Sequence, residues 1–318
     1  MGYSEGKIMQ RTIDKVINAQ ASSDGDGVKI LRSIGSRELI DINPFLLLDE
    51  LRSDDAADYI GGFPSHPHRG FETVTYMLTG QMRHKDSAGN EGVIRAGDIQ
   101  WMTAGSGIVH SEMPEQTQGR LWGFQFWINL PAKEKMRSPR YQEIASDNIP
   151  ELILDNGKVR ILAGEINEDD VIFKKALAKN ISTKNTSINS SETSNNHDKS
   201  SHVLTGAIHD IVTNPLLLDV QLDNGAWKTP LPENHIALVY VYSGQLTIKG
   251  HLLEEQQLAV LSVGDSIELI ASSQPFGALI LAATAIDEPI VRSGPFVMNT
   301  QEELQQAYSD YRSGNFAT

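Results

Sequence analysis

The fold is decided by a stretch that opens with HPHRGFET (residues 66–73) and closes with TAGSGIVHSEMP (residues 103–114). Its first end carries His66 and His68, and its second end carries His110 and Glu112, each pair two residues apart. Alternate side chains of a β-strand point to the same face, so each pair presents both side chains together. The spacing therefore predicts that a sheet folds the two pairs around one metal ion.

Three imidazoles and one carboxylate suit a first-row divalent metal, and Fe, Mn, Ni, Cu and Zn all accept this donor set. Four protein ligands leave up to two positions open on a six-coordinate ion, which favours a bidentate substrate or dioxygen over a closed structural site. Either pair alone also fits ordinary surface or core residues. Together they predict a metal site at His66, His68, His110 and Glu112, with Glu112 as the candidate catalytic base.

The other polar and aromatic residues of this stretch are interpreted as structural. His84 lies near a predicted hairpin tip, where we expect it to be solvated. Glu72 lies an even number of residues after His66 and His68, so on a regular strand its side chain would share their face. It is therefore a candidate to contact these histidines without binding the metal itself. Five aromatic residues are expected in the core rather than in a pocket: Trp101, Trp122, Phe124, Phe126 and Trp127.

Short strands and turns alternate along most of the chain, a pattern typical of antiparallel barrels and jelly rolls. The pattern occurs twice. Residues 235–246 (HIALVYVYSGQL) resemble residues 71–82 (FETVTYMLTGQM), and residues 263–267 (VGDSI) resemble residues 96–100 (AGDIQ). A repeat of this length indicates two similar barrels, each a folding unit of ordinary size.

The second copy lacks the predicted ligands. At the offsets of the repeat, the four ligands fall on residues that cannot bind a metal through a side chain: His66 on Pro230, His68 on Pro232, His110 on Gly277 and Glu112 on Leu279. The first copy is therefore the predicted site, and the second keeps the fold alone.

The domain organisation follows from the repeat and from changes in composition. We predict an N-terminal metal-binding barrel at 1–134, a linker at 135–150, a C-terminal barrel at 151–290 and a tail at 291–318. Residues 179–201 are dominated by Ser, Thr and Asn, which predicts a mobile surface insertion. Thr300 and Glu303 form a capping box that predicts a helix, whose apolar stripe should dock on the body.

The composition excludes several classes of function. The 318 residues carry a formal net charge of −14, which disfavours global attraction to nucleic acid or anionic membranes. Cysteine is absent, so disulfides and thiolate metal sites are excluded. No apolar run reaches the ~18 residues of a membrane helix, and the N-terminus lacks the apolar core of a signal peptide. We expect a cytoplasmic protein that is a monomer.

Three motifs closely resemble the pirin family of the cupin superfamily: HPHRGFETV (66–74), GDIQWMTAG (97–105) and HSEMP (110–114). The resemblance extends to PFLLLD (44–49) and to GPFVMN (294–299) in the tail. It implies two cupin barrels in tandem, that is, two double-stranded β-helix or jelly-roll domains. It further implies one iron in the N-terminal barrel, held by the residues that match His66, His68, His110 and Glu112.

The resemblance implies two kinds of function. Some family members have quercetin 2,3-dioxygenase activity, and others act through protein partners, as a nuclear transcription cofactor or a regulator of pyruvate dehydrogenase. The first hypothesis is therefore an Fe(II)-dependent dioxygenase that opens a flavonol such as quercetin, with Glu112 accepting the hydroxyl proton. The alternative is a non-enzymatic regulator whose iron state changes a surface that contacts a protein partner. A storage or structural role is the third hypothesis, and it gives no reason to keep four ligands.

Overall fold

The computed structural model of the chain describes residues 9–167, 172–174, 203–272 and 274–316. The predicted insertion at 179–201 lies outside the described residues. The first part of the chain forms these strands: β1 (Ile13–Asn18), β2 (Gln20–Asp24), β3 (Val28–Ile34), β4 (Phe45–Ser53), β5 (Phe63–His68), β6 (Phe71–Thr79), β7 (Gln81–Asp86), β8 (Glu91–Arg95), β9 (Ile99–Thr103), β10 (Ile108–Pro114), β11 (Leu121–Asn129) and β12 (Arg140–Ile144).

The later part of the chain repeats the pattern and ends in a helix. Its strands are β13 (Glu151–Leu154), β14 (Gly157–Ala163), β15 (Glu165–Asn167), β16 (Ile172–Lys174), β17 (Val203–Thr205), β18 (Leu216–Leu222), β19 (Ala226–Pro230), β20 (His235–Ser243), β21 (Gln245–Ile248), β22 (His251–Glu254), β23 (Gln257–Leu261), β24 (Ser266–Ala271), β25 (Phe276–Thr284), β26 (Val291–Ser293) and β27 (Phe296–Met298). The helix α1 spans Gln301–Ser313, and 3₁₀ turns lie at Ala56–Asp58, Ala132–Glu134 and Ser146–Asn148.

Each barrel pairs a large sheet with a smaller one. In the first barrel the orders are β12-β9-β6-β11-β4-β3-β2 and β5-β10-β7-β8. In the second they are β1-β23-β20-β25-β18-β14-β13 and β16-β19-β24-β21-β22. All the strand pairs of these sheets are antiparallel. The fold confirms the prediction of an all-β protein with two cupin barrels in tandem and a short C-terminal helix.

The two large sheets pack face to face. Strand β6 is buried along most of its length because one face lines its own barrel and the other meets the second barrel. One apolar cluster accordingly joins residues of both halves, including Tyr76 and Phe124 of the first and Tyr240 and Leu279 of the second. This explains why β6 and β20 are rich in apolar and aromatic residues on both faces, unlike a half-exposed strand.

Segments from both ends of the chain cross between the barrels. Strand β1 pairs with β23 and so extends the large sheet of the second barrel, with Val16 opposite Ala259. Strand β12, inside the stretch predicted as a linker, pairs with β9 of the first barrel. The tail packs back on the first barrel, as described below. The two barrels are therefore connected by exchanged segments as well as by apolar packing.

The strand pairing corrects one detail of the repeat. Strand β10 lies between β5 and β7, and its counterpart β24 lies between β19 and β21. The positions of His110 and Glu112 therefore correspond to β24, whereas Gly277 and Leu279 lie in β25, the counterpart of β11. The offset was wrong by one strand because Gly-Asp corners suit many tight turns and do not identify one hairpin.

The C-terminal helix forms as the sequence predicts. Thr300 and Glu303 make the capping box, and Gly314 ends the helix with a φ of 77°. Leu304 and Ala307 are buried on its inner face. Within the described residues, no helix has the length and apolar character required to span a membrane.

Candidate metal centre

Strands β5 and β10 bring the three predicted histidines together. The two strands are antiparallel neighbours, with His110 opposite His66 and Ile108 opposite His68. The candidate ligand atoms of the three histidines all lie within 4.8 Å of one another. Among the described residues this is the one such group of His, Asp or Glu side chains. Alternation along two paired strands has thus produced a cluster from residues about 40 positions apart.

The imidazoles of His66 and His68 have the spacing that a shared ion requires. Their Nε2 atoms are 3.0 Å apart. Two nitrogens that each lie about 2.1 Å from one ion, at a right angle, are separated by about 3.0 Å. The Nδ1 atom of His66 lies 2.8 Å from the carbonyl oxygen of Pro64, which assigns the proton to Nδ1 and leaves the Nε2 lone pair free.

Of the three histidines, His110 gives the clearest indication of a bound ligand. It is buried, and neither of its ring nitrogens has a hydrogen-bond partner among the described residues. Burial, with His66 and His84 nearby, lowers its pKa to about 4 although Glu112 opposes the shift. Burial also lowers the pKa of His68 well below the ordinary value. Both imidazoles are therefore neutral near pH 7, which is the form that binds a metal.

Glu112 lies beside the cluster but outside the group of atoms within 4.8 Å. Its Oε1 accepts a hydrogen bond from Thr75 at 2.9 Å, and its Oε2 accepts one from Gln125 at 2.8 Å. Burial favours the neutral form, yet His110 and these two donors outweigh it and lower the pKa of Glu112. An ionised carboxylate keeps further lone pairs for a metal, so its assignment as the fourth ligand remains a prediction.

A cavity of about 710 Å³ opens beside His66 and His68. Trp127 lines it and meets the His68 ring edge-on, with the ring centroids 5.2 Å apart. Phe63 and Gln125 also face this space. Trp127 is therefore a pocket residue, and its assignment to the core was wrong. Trp101, Phe124 and Phe126 are core residues as predicted, and Trp122 is partly buried.

Two other interpretations change. His84 is buried rather than solvated, and its Nε2 lies 2.7 Å from Glu143. It sits opposite Glu112 in the pairing of β10 with β7, on a strand that has a neighbour on each side, β10 and β8. Glu72 is buried and accepts a hydrogen bond from Thr103 at 2.7 Å. No hydrogen bond joins it to the histidines in the part of the chain that the structure describes.

A second cavity, of about 770 Å³, opens in the C-terminal barrel, where Pro230 and Pro232 line it. These prolines match His66 and His68 in the repeat. The lining of this larger cavity does contain His209, His235, Glu165 and Asp210, but among the described residues only His66, His68 and His110 form a close group of ligand atoms. The site is assigned to the first barrel on the donor atoms, not on cavity size.

The residues that orient Glu112 were not predicted from the sequence. Thr75 and Gln125 lie on neighbouring strands, β6 and β11, and face each other in the pairing. The sequence of β11 did contain an indication, because Gln125 lies between Phe124 and Phe126 and its side chain must therefore point to the opposite face of the strand. A glutamine pointing into a barrel marks a polar interior, but only the fold identifies which carboxylate it serves.

The chain matches known proteins over nearly its whole length. The family model Pirin matches residues 27–128, and the model Pirin C-terminal cupin domain matches residues 217–317. A pirin-like protein of Caulobacter vibrioides is 41% identical, with 96% of this chain and 99% of that protein aligned. Pirin of Homo sapiens is 37% identical, with 93% and 90% aligned. A solved structure described as quercetin 2,3-dioxygenase from Acinetobacter baumannii is 30% identical, with a TM-score of 0.76 and coverage of 98% and 99%.

Proposed function

Because the chain belongs to the pirin family, we propose that it is an iron-dependent dioxygenase that cleaves flavonols such as quercetin. We assign the iron, as Fe(II), to His66, His68, His110 and Glu112. The observation that carries the proposal is His110, a buried imidazole whose ring nitrogens have no hydrogen-bond partner among the described residues and lie close to those of two further histidines. A solved relative described as a quercetin 2,3-dioxygenase supports the choice of substrate.

The chemistry of the donor set fits iron. Neutral imidazoles and a carboxylate are the ligands that non-haem Fe(II) oxygenases use. The ion would supply Lewis acidity toward the substrate oxygens and electron transfer toward dioxygen. Mn, Ni, Cu and Zn accept the same ligands, so metal identity needs direct measurement.

The side chains around the site have separate roles in the proposal. Glu112 accepts hydrogen bonds from Gln125 and Thr75, which favour its ionised form, so it can accept the proton of a substrate hydroxyl. Trp127 offers a flat apolar wall to an aromatic substrate. The cavity volume of about 710 Å³ lies within the roughly 300–1,000 Å³ of small-molecule sites.

The proposal is tested with protein loaded anaerobically with Fe(II) and then mixed with quercetin in air-saturated buffer. Oxygen uptake and loss of quercetin absorbance should run together. Glu112→Gln should lower kcat by about 100-fold or more, because a positioned base typically contributes that much. Glu143→Gln is the matched control, since Glu143 bonds to His84 outside the cluster and should leave kcat unchanged.

Two results would redirect the proposal. Full activity in an iron-loaded Glu112→Gln variant would remove Glu112 as the base. Wild-type protein that binds iron but consumes no oxygen with flavonols would favour the regulator alternative. That alternative predicts instead a protein partner whose binding differs between the Fe(II) and Fe(III) forms.

A further inference from the structure

The C-terminal tail, residues 291–316, packs on the segments that carry the histidines. The backbone N–H of Arg69 donates to the carbonyl of Pro295 at 3.3 Å, and the N–H of Val297 donates to the carbonyl of Arg69 at 3.0 Å. Arg69 directly follows His68 and is only 3% exposed. The tail is therefore hydrogen-bonded to the backbone beside the first ligand pair.

The Arg69 side chain joins that pair to two further parts of the protein. Its Nε donates to the carbonyl of Ser106 at 2.6 Å, in the loop that leads to His110. Its Nη1 donates to Oδ2 of Asp310 on the helix α1, also at 2.6 Å. The guanidinium lies 4.5 Å from the ring centre of Phe316. A single buried cation thus fastens both ligand segments to the tail, in the forked geometry that arginine provides.

Apolar side chains of the tail also pack against the segment that carries the second ligand pair. Leu304, Ala307 and Phe316 of the tail form a cluster against Val109, the residue before His110. At Gly107, an added Cβ would lie 2.6 Å from the carbonyl oxygen of Phe316, so the tail approaches as closely as a glycine permits. The neighbours of both His68 and His110 are therefore in direct contact with the tail.

A buried lysine also joins the tail to the segment that follows His68. The Nζ of Lys135 donates to the carbonyls of Gly70 at 2.7 Å and Val297 at 3.0 Å, and to Oδ1 of Asn129 at 2.6 Å. These three acceptors satisfy the three donors of an ammonium group. The turn after His68 is thus fixed to the tail from a second direction.

We propose that the tail is a clamp that positions the metal ligands, with the Arg69–Asp310 ion pair as its main fastening. The inference rests on the metal centre proposed above. Residues outside the ligand set commonly change metal affinity by about 10–100-fold, because they hold the ligands in place. By linkage, a tail that favours metal binding must itself be held more firmly when the metal is bound.

The first test measures Fe(II) affinity by anaerobic competition with a chromophoric chelator. Asp310→Ala should bind Fe(II) about tenfold more weakly than the wild type, at the lower end of that range. Asp54→Ala is the control, because it removes another arginine–aspartate ion pair, to Arg120, that lies outside the tail and both ligand segments. Its affinity should equal that of the wild type.

The second test needs no variant. Amide hydrogen exchange of the helix α1 is compared in the wild type with and without Fe(II), and exchange should slow when the metal binds. A tail with only a structural role would exchange at the same rate in both states. Equal affinity in Asp310→Ala together with unchanged exchange would overturn the clamp while leaving the metal centre intact. A wild type that binds no Fe(II) would overturn the metal centre and the clamp with it.

Discussion

The hydroxyl of Tyr240 in the second barrel donates a hydrogen bond to Oε2 of Glu50 in the first, at 2.5 Å. In the opposite direction, the hydroxyl of Tyr76 donates to Oδ2 of Asp219 at 2.8 Å. Tyr76 and Tyr240 are equivalent positions of the repeat, so the two contacts are reciprocal. Burial raises the pKa of both carboxyl groups, and the tyrosines oppose that shift by bonding to the charged form.

Removing the Tyr240 hydroxyl should destabilise the protein. In Tyr240→Phe, Glu50 keeps the hydrogen bond from Trp122 at 2.7 Å but loses its other strong donor. A buried polar group deprived of a partner costs about 1–3 kcal/mol. Denaturant unfolding should therefore report a loss of that size. Tyr311→Phe is the control, since Tyr311 is partly exposed on the tail, and an equal loss there would contradict this account of the interface.

Glu72 should make stability depend on pH in an unusual direction. Burial raises its pKa to about 7, against an ordinary value of 4.5. The folded state then binds more protons than the unfolded state between those values, so stability is full below pH 4.5 and falls as pH rises through 7. Glu72→Gln should be more stable than the wild type at pH 8, by up to ~3 kcal/mol, and similar to it at pH 4.5.

Unfolding at the two pH values measures this difference directly. The exposed Glu302→Gln serves as the matched control. If Glu72→Gln and the wild type kept the same difference in stability at both pH values, the raised pKa of Glu72 would be refuted.

Gln125 should affect the pH at which Fe(II) binding is lost on acidification. Its side chain donates to Glu112 and lowers the pKa of that carboxyl group. In Gln125→Leu the donor is lost, so Glu112 takes up a proton at higher pH and the fall in Fe(II) binding on acidification shifts upward. The measurement is Fe(II) affinity as a function of pH. Gln100→Leu, at a buried glutamine that bonds to Glu143, should leave the profile in place.

Trp127 should contribute to substrate binding and not to the metal. Trp127→Ala removes an aromatic wall of the cavity, which should raise KM for quercetin roughly tenfold, with metal content unchanged. Trp122→Ala is the comparison, because Trp122 stacks on Arg52 with the guanidinium 4.3 Å from its ring centre. Equal effects of the two substitutions on KM would remove Trp127 from the substrate site.

The fold and the histidine cluster were predictable because they depend on local patterns. Strand alternation placed His66 with His68, and the turns between the strands required the chain to return, which brought His110 alongside. The capping box at Thr300 predicted the helix for the same local reason.

The supporting contacts were not predictable, since each depends on where distant segments meet. Arg69 and Asp310 are 241 residues apart, and no local pattern relates them. His84 was misjudged because charged neighbours indicate solvent, whereas the barrel closes over that strand. Trp127 was misjudged because alternation separates the two faces of a strand without telling which of them meets a cavity.

The proposed function depends on one metal ion in the first barrel, held by the histidine cluster. The most direct test is metal analysis of protein purified without added metal, with His110→Ala and His84→Ala prepared in parallel. Both histidines are buried on adjacent strands, and only His110 belongs to the cluster. We expect one iron per chain in the wild type and in His84→Ala, and the loss of that iron in His110→Ala. Retention of the metal by His110→Ala, or a wild type that binds none, would contradict this expectation.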